Sequence, residues 1–175
     1  MLTAPLSLVR RPATALALAV LLGAFVAPTS SVAQQELPPM SLNAVVDTAS
    51  AQNTPILVEI YAPWCPWCQR MQKQVYGSTP VKSYLDEHFT YARLNGDTEE
   101  GAHQLGGRTL NSSQLASALG ARGFPTTVFL RPDGTPIGTL PGFIDRSTFL
   151  QVLQYVGSNA YQKQSFQKFM SSQAK

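Results

Sequence analysis

Cys65 and Cys68 are the only two cysteines among 175 residues, and Pro66-Trp67 lies between them. The only two tryptophans, Trp64 and Trp67, sit in the same stretch. A Cys-x-x-Cys pair can be half a zinc site, a haem attachment, a static bridge or a redox pair. A closed zinc site needs four ligands. Only His88 and His103 could add imidazole nitrogen, and neither has paired ligand spacing, so no metal is expected. Haem attachment needs a histidine after the second cysteine, where Gln69 stands. A static bridge over so small a loop constrains the unfolded chain little. Thiol–disulfide exchange is the chemistry that fits best. It asks for one thiolate that attacks and a second thiol that resolves the mixed disulfide.

The flanking elements can make the two thiols unequal. Residues 56–61, Ile-Leu-Val-Glu-Ile-Tyr, are β-branched, aromatic and almost wholly apolar. They predict a central strand covered on both faces, with Glu59 as its one charge. The cysteine motif follows directly, and 69–76 are helical in character. A helix that starts at the motif puts Cys65 at its N-terminus, where free N–H groups and the dipole favour the anion. Pro66 fits the first turn, where its missing N–H is no loss. Cys68 lies one turn along and deeper. Cys65 is the expected nucleophile and Cys68 the resolving thiol. Trp64 and Trp67, beside an accessible thiol, read as an apolar rim for partners; the alternative is that they are core.

The remaining elements follow from periodicity and punctuation. Ser41 can cap a helix with Leu42, Val45, Val46 and Ala49 on one face. Ser78 or Thr79 starts another, with Pro80 in its first turn and Val81, Tyr84 and Leu85 inward. Residues 89–94 form a strand, and the glycine-rich 95–109 read as a loop. A short helix begins at Asn111 or Ser112. Residues 127–130 form a strand, Pro132-Asp133-Gly134 a turn, and 135–140 a return strand whose Pro136 suits an edge. Asp145 caps a helix with Phe149, Val152, Leu153 and Val156 on one face. The order predicts an α/β fold, a mixed central sheet with helices on both faces. Tyr161, Phe166, Phe169 and Met170 predict a last short helix. Met71 is expected in the core, and His88 and His103 at the surface or at helix ends.

Residues 1–33 read as a secretory signal: Arg10-Arg11, an apolar run over 13–27, then small residues over 28–33. That run is shorter than the ~20 residues of a spanning helix. Cleavage is expected, with an uncleaved membrane anchor as the alternative. The polar, proline-containing 34–40 form an extended lead-in. Of the 13 basic residues, Arg10 and Arg11 leave with the signal, so 11 face 10 acidic ones. Near-neutrality argues against nucleic acid as a partner. The product is placed outside the cytoplasm, most simply in a periplasm, where disulfides persist.

Taken together, these residues resemble the thioredoxin superfamily. Residues 56–65, ending Tyr-Ala-Pro-Trp-Cys, resemble its strand and active-site approach. Arg122-Gly123-Phe124-Pro125-Thr126 resembles its cis-proline loop, and Gly142 falls where the family keeps a glycine beside the site. The resemblance covers 41–156 as a thioredoxin-like domain and leaves 157–175 as a C-terminal extension. Residues 140–153 also look like exported members related to the C-terminal domain of the membrane reductase DsbD. The resemblance implies the thioredoxin fold, a cis Pro125, and a buried acid at Glu59 that takes the proton of the resolving thiol. An outward-facing Glu59 and a trans Pro125 are the plain alternatives. Arg93 sits where the family has a lysine near this acid; it either pairs with Glu59 or is a solvated strand charge. Trp64, Pro66, Trp67, Phe124 and Gly142 form the expected substrate-binding rim. Two departures stand out: Pro66-Trp67 replaces Gly-Pro, and the segment around 96–110 is longer.

The expected function is an exported thiol–disulfide oxidoreductase acting on protein thiols and disulfides, leaning to reductase. It would be coupled to a membrane-embedded electron donor or acceptor, with no cofactor beyond its own cysteine pair. No dimerisation segment is visible, so a monomer is expected. An oxidase or isomerase is the alternative within the class. A non-catalytic binding module with a structural bridge is the alternative outside it.

Overall fold

The computed structural model describes residues 41–173. The secretory signal at 1–33 and the lead-in at 34–40 lie outside the described residues. Helix α1 (Leu42–Gln52) is capped by Ser41, whose hydroxyl accepts from the Ala44 N–H, and Asn53 closes it in the left-handed conformation. Strand β1 (Ile56–Tyr61) leads to α2 (Pro66–Met71), which runs on as one π-helical stretch (Gln72–Tyr76). Helix α3 (Thr79–His88), β2 (Thr90–Asn95), β3 (His103–Leu105), β4 (Arg108–Leu110) and α4 (Ser112–Ala118) follow. The chain then forms β5 (Thr126–Leu130), β6 (Pro136–Pro141), α5 (Arg146–Gly157) and α6 (Phe166–Gln173).

The main sheet has the order β2-β1-β5-β6. β1 pairs parallel to β2 and antiparallel to β5; β5 and β6 form the antiparallel hairpin, with Pro136 on the edge strand. Strand alternation divides the core in two. Ile56, Val58 and Ile60 face α1 and α4, against Leu42, Val45, Ala49, Leu115 and Leu119. Leu57 faces the other way, against Met71, Val75, Val81, Leu85, Phe149, Leu153 and Val156. Because both faces of β1 are covered, it reads as a continuous apolar run. Its exception, Glu59, is a charge buried in the second layer. Helix α6 lays Phe169 against Tyr155 of α5, and the Tyr155 hydroxyl donates to the Gln164 carbonyl at 2.6 Å.

Two expectations are corrected here. The segment 95–109 is not all loop: β3 and β4 pair antiparallel through a two-residue Gly106-Gly107 turn. Both glycines have positive φ, 57° and 75°, as this tight turn demands and as side-chain-bearing residues resist. His103 is not at the surface but 5% exposed. The hairpin folds back over α1 and α4 and carries the ring between them. His103 Nδ1 accepts from the Leu42 N–H at 3.3 Å, and Nε2 lies 3.0 Å from the Ser112 hydroxyl. An Nδ1 that accepts leaves the proton on Nε2, which donates to Ser112. Burial lowers the histidine's pKa, consistent with a neutral ring.

Candidate active site

The site forms where β1 hands over to α2. Cys65 is the N-cap residue, Pro66 opens the helix, and Cys65 Sγ accepts from the Cys68 N–H at 3.1 Å. Cys65 and Cys68 are joined as a disulfide, with Cα atoms 5.3 Å apart. On reduction, the same N–H would face the Cys65 sulfur, as thiolate stabilisation requires. Both residues are buried, Cys65 at 4% exposed and Cys68 at 2%, so the pair is more enclosed than an accessible thiol would suggest. Ala62, Tyr61 and Phe124 pack around the pair and cover it.

What is exposed is the rim. Trp64 is 66% and Trp67 52% exposed, the large apolar side chains left open among the described residues. Trp64 is fixed from two sides. Its indole N–H donates to the Asp97 carboxylate, and its ring meets Phe124 edge-on at 6.0 Å. Trp67 lies 5.8 Å from Phe143. The Phe124–Pro125 peptide is cis, and the Pro125 carbonyl accepts from the Gly142 N–H at 2.8 Å. Gly142 has φ 80°, in the region that favours glycine. The structure thus brings Trp64, Trp67, Phe124, Pro125 and Gly142 into one neighbourhood around the disulfide, with Pro66 exposed beside it.

Glu59 is 0% exposed, so the outward-facing alternative falls. The Tyr91 hydroxyl donates to Oε2, and Arg93 donates from Nε to Oε2 at 2.9 Å and from Nη2 to Oε1 at 3.5 Å. Arg93 therefore pairs with Glu59, and its guanidinium also lies 4.2 Å from the Tyr61 ring centre. Burial raises the Glu59 pKa; Arg93 and the Tyr91 hydrogen bond pull it back without cancelling the rise. Beneath lies Tyr76, stacked on Tyr91 at 5.6 Å and bonded to the Thr127 hydroxyl at 2.7 Å. Burial raises the pKa of both tyrosines well above the ordinary value, so both hydroxyls are neutral, and Tyr91 donates to Glu59.

Three contributors escaped sequence reasoning: Tyr76, Tyr91 and Asp97. Tyr91 shares strand parity with Arg93, a signal available in the sequence. The parallel register that sets Glu59 beside Arg93 was not. Nothing local marks Asp97 as the partner of Trp64, which is 33 residues earlier. Among the described residues, no group of three or more His, Cys, Asp or Glu is placed to hold a metal ion.

A thioredoxin fold with a Cys-x-x-Cys disulfide at the strand-to-helix junction defines the class. The family model described as a thioredoxin-like domain matches residues 42–157, and the chain belongs to that family. It is similar to the thiol:disulfide interchange protein DsbD of Yersinia enterocolitica, 28% identical over 141 residues, covering 75% of this chain and 22% of the relative. DsbD of a Pseudomonas species is 30% identical over 115 residues, covering 65% and 18%. The chain thus spans about a fifth of the length of these relatives. Among solved structures, a thioredoxin from Thermus thermophilus superposes with a TM-score of 0.53 at 28% identity, covering 66% of this chain and 83% of that one. The oxidised C-terminal domain of DsbD from Neisseria meningitidis gives 0.50 at 25% identity, covering 65% and 90%.

Proposed function

We propose that this protein is an exported thiol–disulfide oxidoreductase that reduces disulfides in protein partners. The observation that carries the reading is the placement of the Cys65–Cys68 disulfide. It caps a helix, lies under an exposed two-tryptophan rim, and is built on a strand with a buried carboxyl at Glu59. In the reduced protein, the Cys65 thiolate attacks a partner disulfide. A Cys65–partner S–S bond forms, the partner's own S–S bond breaks, and one partner sulfur leaves as thiolate. Cys68 then loses its proton to Glu59 and attacks Cys65 Sγ. The intramolecular disulfide closes and the second partner thiolate leaves. Two electrons pass to the partner, and a dithiol donor must return them. Pro125, with the Phe124 backbone beside the cysteines, and Gly142 form the edge on which an extended partner segment docks.

The direction, reduction rather than oxidation, rests on the similarity to DsbD and to thioredoxin. The periplasmic location and a membrane-embedded electron donor rest on the signal at 1–33 and on the same similarity. The protein acts as a monomer without a cofactor. With a dithiol reductant, the wild type is expected to speed reduction of insulin disulfides. Cys65→Ser should fall to background, and Cys68→Ser should accumulate a mixed disulfide. No turnover by the wild type would return the protein to the binding-module reading. A reduction potential near the roughly −270 mV of thioredoxin fits a reductant; one near the roughly −120 mV of DsbA reverses the direction.

A further inference from the structure

We infer that Arg70 is a specificity element, selecting partner segments that carry a carboxylate close to the exchanging cysteine. The inference rests on the exchange reaction proposed above and names the chemistry of its substrate. The Arg70 guanidinium carbon lies 5.2 Å from the Trp67 ring centre and 4.8 Å from that of Phe143. Its Nε–H is spent on Gln74 Oε1 at 3.0 Å. The two Nη groups have no hydrogen bond or ion pair among the described residues, and the side chain is exposed. The cation is thus held against two apolar rings, with its donor fork unspent, one turn of helix after Trp67 of the cysteine motif. Stacking orients a guanidinium without neutralising it. A ligand carboxylate then meets a fork whose rotamer freedom is already restricted, so less ordering entropy opposes binding.

The charges around the site fit an acidic occupant on this side and not on the other. Asp145, two residues beyond Phe143, is occupied as a helix cap by the N–H and hydroxyl groups of Ser147 and Thr148. Lys73, one turn after Arg70, is exposed and adds positive charge. On the opposite side Asp97 holds Trp64, with Glu99 and Glu100 exposed in the same segment and Arg122 exposed on the loop before Phe124. A cysteine-bearing segment lying between Trp64 and Trp67 is therefore polarised. Its acid is drawn to the Arg70 side and repelled from the Asp97 side.

The test uses short peptides in which one cysteine is joined to a common leaving thiol. Glu or Gln is placed one or two residues before or after that cysteine. Second-order rate constants are measured with the reduced full-length protein. At low ionic strength, at least one Glu peptide should react about two- to fivefold faster than its Gln twin, as expected for an exposed ion pair. The preference should fade as salt screens it. Arg70→Met should bring the Glu-to-Gln ratio to one, and Arg70→Lys should keep only part of it. Using the ratio cancels any general damage to the variant. Equal rates for every Glu/Gln pair with wild type, or a preference that survives Arg70→Met, would overturn the inference while leaving the exchange reaction intact. No exchange with any peptide would instead overturn the proposed reaction, and Arg70's role with it.

Discussion

Glu59 is held by unlike forces. Burial favours its neutral form, while Arg93 and Tyr91 donate to the carboxylate. The net effect is a folded-state pKa above the ordinary 4.5. The folded protein therefore binds this proton more tightly than the unfolded chain. The stability the group contributes is complete below pH ~4.5 and is lost as pH rises through the folded value. Glu59→Gln cannot titrate. In urea unfolding between pH 4 and 8, wild type should lose stability relative to Glu59→Gln as pH rises. A difference that is flat or of opposite slope would mean the carboxyl is not desolvated as described. The same variant should slow release of the Cys68-resolved partner by about a hundredfold, a typical general-base contribution. Single-turnover decay of the mixed disulfide measures this step apart from Cys65 attack.

At the level of elements, His103 ties three together: it sits on β3, accepts from α1 and donates to α4. Protonation would put a second N–H against the Leu42 N–H. Burial lowers its pKa from 6.5, so its contribution is complete above pH 6.5 and is lost as pH falls toward the folded value. Wild type should therefore show a falling urea midpoint below pH 6.5, and His103→Gln a flatter profile; parallel profiles would sever the link. This hairpin is also where the sequence was misread. Gly106-Gly107 between two short polar segments is a hairpin signal, but three-residue strands leave too little alternation to reveal it. By contrast, β1, β5, α1 and α5 were legible because each buries a regular set of apolar residues. The caps at Ser41, Asn111 and Asp145 agree with what those side chains do elsewhere. The cysteine pair, Glu59 and Pro125 were legible through spacing and resemblance. For Arg93 the sequence left pairing with Glu59 and a solvated charge both open, and the strand register decided between them; Arg70 emerged only from its stacking on Trp67 and Phe143.

On the scale of the molecule, Gly96 links core and site. A methyl group there would lie 2.8 Å from Ile60 Cγ2, 2.8 Å from Phe124 Cε1 and 3.1 Å from Ala116 Cβ. These belong to β1, the Pro125 loop and α4. Gly96→Ala should cost about 1–3 kcal/mol through overpacking. Phe124 can yield most easily, so the variant should also change the rate of Cys65 attack. Unchanged exchange at reduced stability would place the strain in α4 instead.

The outer strand has a different consequence. β6 begins at Pro136 and ends at Pro141, lies at the sheet edge and is mostly exposed. Neither proline has an N–H to offer an incoming strand, and a register irregularity between Phe129 and Leu130 disturbs the ladder near its start. A second molecule would find few backbone partners along this border. The same border ends beside the site, with Gly142 fixed to Pro125. The fold thus discourages sheet-to-sheet growth from its flank, a protection suited to the proposed exchange with protein partners at the adjoining site.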